Sequence, residues 1–137
     1  MAQATQAEEE YLQTLCWLQE AGLPMTAANV ARAMQLSAPT VHEMIGRLEQ
    51  DGYIERAPNK SITFTNHGLR DAQEIVSRHR MIERFLTDVL GIPWDEVHEE
   101  AERLEHAMSP TLEARMRATL GDVTTCLLYT SPSPRDS

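Results

Sequence analysis

The sequence holds only two cysteines, Cys16 and Cys126, in 137 residues. Their spacing matches no thiolate metal site and no redox motif, so a disulfide framework is not expected and a reducing cytoplasm suits the chain. No run of about 18 apolar residues is present, which excludes a membrane-spanning helix. The N-terminal stretch M-A-Q-A-T-Q-A-E-E-E lacks the basic and apolar segments of a secretory leader. Positive charge is also scarce, with 12 Lys and Arg against 21 Asp and Glu for a net charge of −9. A polyanion could not be held by bulk attraction. No Gly-rich phosphate loop, nucleophile elbow or Ser/His/Asp set is found, so catalysis has no foothold and an enzyme is not expected.

The shortage extends to the first 66 residues, where Arg32, Arg47, Arg56 and Lys60 face eight acidic residues. Any nucleic-acid binding there must rest on local placement, helix dipoles and recognition contacts, and should be strongly salt-dependent.

What is present is helical periodicity. Residues 8–21 place Tyr11, Leu12, Leu15, Cys16 and Leu18 on an apolar stripe that Gly22 ends. Thr26 suits the N-cap of a short helix over Ala27–Met34. Ser37 suits the cap of the next helix, with Pro39 in its first turn, where a missing N–H costs nothing. That helix buries Val41, Met44, Ile45 and Leu48 and closes at Gly52. Tyr53–Arg56 and Ser61–Thr65 are strand-like around a Pro58-Asn59-Lys60 turn. Helix-turn-helix plus hairpin predicts a winged helix over residues 1–66, with the third helix in the major groove and the Lys60 wing on the backbone or minor groove. The same module also serves as a protein-protein unit.

A helix follows from Leu69 to Leu90, about 33 Å long. Gly91, Pro93 and Trp94 break it, Asp95 is expected to cap a helix over Glu96–Ala107, and Ser109-Pro110 starts a last helix carrying Leu112, Met116 and Leu120. A helical pair of this kind behind a reader predicts a homodimer on palindromic double-stranded operator DNA. Trp17 and Trp94 are read as packing anchors, Cys16 and the seven Met as core, and His67 as a loop or cap residue. Residues 67–122 thus form a helical second domain. From residue 123 the period is lost, and 123–137 is expected to be a disordered tail foreign to the natural gene.

Within 77–108 the side chains of Glu102, Glu105 and His106 share one helix face, as do His79 and Glu83, and His98 and Glu102. Clustered carboxylates repel, and a divalent cation removes that repulsion. If Glu10 of the first helix joins Glu102, Glu105 and His106, the cation ties the reader to the second domain. His79, Glu83 and His98 could form another site, with affinity falling below about pH 6 as free imidazoles protonate. Oxygen and nitrogen donors without thiolate suit Mn²⁺ or Fe²⁺. The bland alternative is a solvated face laced with ion pairs from Arg78, Arg80, Arg84 and Arg103. A di-metal oxidation site would need E-x-x-H on two helices, which the sequence does not supply.

The segments H-R-M-I-E-R-F-L-T-D-V-L-G and V-H-E-E-A-E-R-L-E-H-A-M-S, with E-Y-L-Q-T-L and L-S-A-P-T-V-H-E-M-I-G-R-L-E-Q-D-G-Y-I, resemble the diphtheria toxin repressor family of metal-dependent regulators. The resemblance spans residues 8–122. It implies a mainly α, homodimeric winged-helix repressor that binds operator DNA when metal-loaded and controls metal uptake. It implies a primary site of Glu10, Glu102, Glu105 and His106 and an ancillary site of His79, Glu83 and His98. It further implies DNA contacts from Ser37, Pro39, Thr40, His42 and Glu43, with Arg47 and Lys60 near phosphates. Iron-type members carry Met and Cys where this chain has Glu10 and Glu102, whereas manganese-type members carry carboxylates, so Mn²⁺ is favoured and Fe²⁺ is the alternative. Gln13 stands where manganese-type members have a further carboxylate, and His98 is an iron-type feature. Glu43 replaces a frequent Gln, and an acid there can accept from cytosine N4.

Overall fold

The computed structural model describes residues 4–120; the expected tail at 123–137 and Cys126 lie outside them. The element order is α1 (Gln6–Glu20), α2 (Ala27–Met34), α3 (Ala38–Gln50), β1 (Ile54–Arg56), β2 (Ile62–Phe64), α4 (Asn66–Asp88), α5 (Trp94–Ala107) and α6 (Pro110–Leu120). The chain divides into two compact units, Met1–Ile75 and Val76–Ser137, so the division falls inside α4. This is the mainly helical, winged-helix arrangement expected from the sequence.

In the first unit, α1 starts earlier than its apolar stripe suggests. Thr5 and Glu8 form a capping box that satisfies two backbone donors, a T-x-x-E signal present in the sequence. Burial on α1 goes beyond one stripe and includes Glu8, Gln13 and Thr14. Cys16 is fully buried, as expected of a core residue.

Helices α2 and α3 pack on each other, and α2 also packs on α1. Thr26 caps α2 and Ser37 caps α3, each hydroxyl accepting from the backbone N–H three residues on. The turn between them passes through Gln35 in the left-handed region (φ 57°), a conformation usually given to Gly or Asn. Val30, Val41, Ile45 and Leu48 fill the core beneath, while Met44 is only half-buried. Helix α3 ends in a Schellman motif: Tyr53 N–H donates to Leu48 O (2.9 Å) and Gly52 N–H to Glu49 O (3.2 Å), with Gly52 at φ 85°.

The wing is antiparallel, with Ile54 opposite Phe64, Glu55 opposite Thr63 and Arg56 opposite Ile62. Lys60 adopts φ 70° in the turn, and its N–H donates to Ala57 O (2.8 Å). Ile62 N–H also donates to Met25 O (2.8 Å), anchoring the wing to the segment before α2.

Helix α4 opens against this hairpin. Thr65 Oγ1 accepts from Gly68 N–H (3.0 Å) and donates to Gly52 O (2.6 Å). A Cβ on Gly68 would overlap the Tyr53 carbonyl, so only glycine fits. His67 is neither loop nor cap: it lies in the first turn of α4 and stacks on Tyr53, with ring centroids 4.7 Å apart. These contacts tie the start of α4 to the wing and explain why the division falls beyond it.

In the second unit, Met81, Ile82, Leu86, Val97, Ala101 and Met116 form the core, flanked by Phe85, Ile92, Leu104, Met108 and Leu120. Two expectations are corrected. Asp95 does not cap α5; the helix begins at Trp94 after Pro93, with no side-chain cap, and Asp95 sits in the first turn, where its charge suits the helix dipole. Trp94 is not a packing anchor within the chain but is 84% exposed, and Val89 and Leu90, a few residues earlier in the sequence, are exposed too. Leu112 is exposed too, so only Met116 and Leu120 of the expected stripe on α6 turn inward.

Candidate metal centre and reader face

Helix α4 carries His79 and Glu83 one turn apart, and α5 carries His98, Glu102, Glu105 and His106. Apolar packing of Met81, Ile82 and Leu86 against Val97 and Ala101 fixes the two helices side by side. That packing turns the intervening polar residues toward each other.

His79 is the hub, at 1% exposure. Its Nδ1 lies 3.0 Å from Glu105 Oε1, and its Nε2 lies 3.0 Å from Glu83 Oε2 and 3.3 Å from His98 Nδ1. His98 Nδ1 is 3.1 Å from Glu83 Oε2, closing a triangle of potential ligand atoms. His98 Nε2 stands 3.8 Å from Glu102 Oε1, and Glu105 Oε2 stands 3.7 Å from Arg78 Nη2.

The electrostatics follow from this crowding. Burial alone disfavours a charged His79, but hydrogen bonds to Glu105 and Glu83, and their negative charges, outweigh it and raise its pKa to about 9. The His79 hydrogen bond, assisted by His98, lowers the pKa of Glu83 despite partial burial. At neutral pH His79 is therefore held as an imidazolium between two carboxylates, one at each ring nitrogen.

The donor set fits a divalent cation. Two imidazole nitrogens and a carboxylate oxygen lie within reach of one point, and the second nitrogen of His79 is held by a carboxylate. Such a carboxylate-histidine pair fixes the ring and raises the basicity of the ligating nitrogen. The expected His79, Glu83 and His98 set is thus brought together. Glu105, expected beside Glu102 and His106, points its carboxylate at His79 and Arg78. Arg78 was seen in the sequence only as a possible surface-pair residue. Its role as partner of a buried acid depends on α5 crossing α4, which no local spacing reveals. Glu10 lies half-buried on α1 of the first unit, and Glu102 and His106 lie on α5 of the second.

On the first unit, Ser37, Pro39, Thr40, His42, Glu43 and Arg47 are all exposed on α3, and Lys60 is exposed at the wing tip. Ser37 Oγ donates to Thr40 Oγ1 (2.8 Å), so two of the expected contacts orient each other. Pro39, Glu43 and Arg47 follow at four-residue steps and form one stripe away from the core.

Known proteins agree with both units. Residues 3–62 match the family model "Iron dependent repressor, N-terminal DNA binding domain", and residues 65–135 match "Iron dependent repressor, metal binding and dimerisation domain". The chain belongs to the iron-dependent repressor family. Within that family it is 40% identical over 117 residues to the iron-dependent repressor IdeR of Mycobacterium leprae, covering 85% of this chain and 51% of the relative. It is 39% identical over 116 residues to the diphtheria toxin repressor of Corynebacterium efficiens, covering 85% and 50%. A solved manganese-dependent transcriptional repressor in complex with manganese superposes with a TM-score of 0.79 at 35% identity, covering 93% of this chain and 63% of that one. The manganese regulator SloR superposes with a TM-score of 0.71 at 33% identity, covering 82% and 53%. The chain spans about half the length of the curated relatives it matches.

Proposed function

We propose that this chain is a metal-activated, homodimeric transcriptional repressor that binds double-stranded operator DNA in the cytoplasm and controls metal-uptake genes. The observation that carries the reading is the convergence of His79, Glu83 and His98 on one point in a chain whose other unit presents an exposed recognition helix. The match to a metal-binding and dimerisation domain supports it.

The cation, when bound, supplies positive charge at the carboxylates and replaces the His79 proton. His79 would ligate through Nε2 while Nδ1 donates to Glu105, and Glu83 and His98 complete this site. Glu102, Glu105 and His106 of the second unit, with Glu10 of the first, form the proposed primary site. Because Glu10 belongs to the reader, loading that site would restrict how the reader moves and so favour the DNA-competent arrangement. Carboxylates at Glu10 and Glu102 favour Mn²⁺, with Fe²⁺ as the alternative; relatives named for either metal occur.

Ser37, Pro39, Thr40, His42 and Glu43 are the proposed base-edge and backbone contacts, and Arg47 and Lys60 the phosphate contacts. The dimer surface is proposed to centre on Trp94 with Val89 and Leu90, since a large exposed aromatic beside aliphatic residues is the usual anchor of an interface.

The test is selection of duplexes from a random library by the full chain, then anisotropy titration of the selected duplex with Mn²⁺, with Fe²⁺ and with chelator at fixed salt. Tighter binding with metal supports the reading. Equal binding in chelator leaves a metal-independent winged-helix regulator.

A further inference from the structure

A separate polar cluster lies in the first unit, where the start of α1 meets the end of α3. Glu8 is only 2% exposed although it carries a carboxylate. Its Oε1 accepts from Thr5 N–H (2.9 Å) as part of the capping box. Its Oε2 is buried and has no hydrogen-bond partner. A buried carboxylate oxygen left in that state is costly.

The group facing Glu8 is another acid. Asp51 is the C-cap residue of α3 and is exposed. Burial pushes the Glu8 carboxyl above its usual range, and the side chain and charge of Asp51 push it further. Two deprotonated carboxylates have no hydrogen to share, so the Asp51 side chain supplies no donor to Oε2. The dipole of α3 also disfavours negative charge at its C-terminal end. Tyr53, buried two residues beyond Asp51, lies in the same field. Its phenol is raised first by burial and then by the charges of Glu8, Asp71, Asp51 and Glu9. Among the described residues, no Lys, Arg or His forms an ion pair with Glu8 or Asp51.

Negative charge from two helices thus meets at one point, with a buried acceptor oxygen on one side and solvent access at Asp51 on the other. All the donors are oxygen, which suits a hard cation. Two carboxylates with water on the open side match Mg²⁺, which is commonly held by one or two carboxylates and keeps several waters. Glu10 follows Glu8 by two residues, which places it on roughly the opposite side of α1.

We propose that Glu8 and Asp51 bind a hydrated Mg²⁺ ion that pins the start of α1 to the end of the reader helix. The site lies within one compact unit and uses no residue of the two proposed sensor sites, so it stands whether or not metal activation holds.

The test is ¹⁵N NMR of the full chain titrated with Mg²⁺ at constant ionic strength, with the backbone amides of Glu8 and Asp51 as reporters. It is repeated with E8Q, which keeps the capping box because glutamine also serves at that position. It is repeated again with D51N, and with H106A, which removes a ligand of the proposed primary site. The expected result is saturable shifts of both amides, with affinity about tenfold or more weaker in E8Q and in D51N and unchanged in H106A. The proposal is overturned if the amides show no saturable shift, if either E8Q or D51N titrates like the parent, or if H106A abolishes the shifts.

Discussion

His79 Nδ1 and Glu105 Oε1 lie 3.0 Å apart, a hydrogen bond buried between α4 and α5. It decides how the proposed metal centre responds to pH. The pKa of His79 is raised from 6.5 to about 9, because the hydrogen bonds and charges of Glu105 and Glu83 overcome the burial penalty. Competition between proton and cation therefore persists well above the range near pH 6 that free imidazoles would give. Loading this site should release a proton at neutral pH, and affinity should rise up to about tenfold per pH unit until about pH 9. Calorimetry of Mn²⁺ binding in buffers of different ionisation enthalpy reads that proton directly. Binding without proton release at pH 7 would contradict the arrangement.

The same shift has a stability consequence. The folded-state pKa lies above the unfolded value, so protonated His79 stabilises the metal-free fold fully below about pH 6.5. That contribution is lost as pH rises through about 9, and is worth roughly 3 kcal/mol at most. Denaturant melts of metal-free protein should show stability falling across this window. Substituting Glu105→Gln should flatten the fall, because it removes one of the two carboxylates that hold the proton.

Two glycines should respond in opposite directions to alanine. At Gly68 the added methyl meets the Tyr53 carbonyl, and Gly68→Ala should destabilise by about 1–3 kcal/mol or more. At Gly46, in the middle of α3, a Cβ meets nothing within 4 Å. There Gly46→Ala should stabilise by about 0.5–1 kcal/mol, because alanine is the better helix former. Thermal denaturation of the two variants checks the contrast.

Trp94→Ser should separate assembly from folding. The side chain is 84% exposed, so the monomer loses little. If Trp94 anchors the dimer, its removal should raise the dimer dissociation constant about 30-fold or more, the effect of a loss of about 2 kcal/mol. Sedimentation equilibrium measures this, and an unchanged constant would move the interface elsewhere.

On α3, Glu43 places a negative charge on the exposed stripe between Pro39 and Arg47. Glu43→Gln should strengthen binding to duplexes in general by removing repulsion of phosphates. It should also relax any preference for cytosine at one position and favour adenine, to which Gln pairs. Selection from a random library with each protein shows whether the preferred base moves.

Much of this fold was legible in the sequence, for identifiable reasons. Thr26, Ser37, Pro39 and Gly52 are local signals whose chemistry sets helix ends within a few residues, and the structure uses each of them. His79, Glu83 and His98 were also legible, since helix periodicity and one interhelical contact suffice to bring them together. The sequence misled where the answer depends on packing between distant segments. Trp94 has the composition of a core residue, yet the break at Gly91 and Pro93 turns it outward. Glu105 shares a helix face with Glu102, and its contacts with His79 and Arg78 come from the crossing of α4, which local spacing does not show. The close fit of Gly68 on Tyr53 depends on the wing folding back, which no local pattern encodes.

The central claim is that metal and DNA act on one another through this chain, and the most direct measurement is a linkage cycle. Duplex affinity is measured with saturating Mn²⁺ and with chelator, and Mn²⁺ affinity is measured with and without saturating duplex, all at one salt concentration. The account predicts that metal tightens duplex binding by about tenfold or more, and that duplex tightens metal binding by the same factor. Duplex affinity that is identical in Mn²⁺ and in chelator would contradict it.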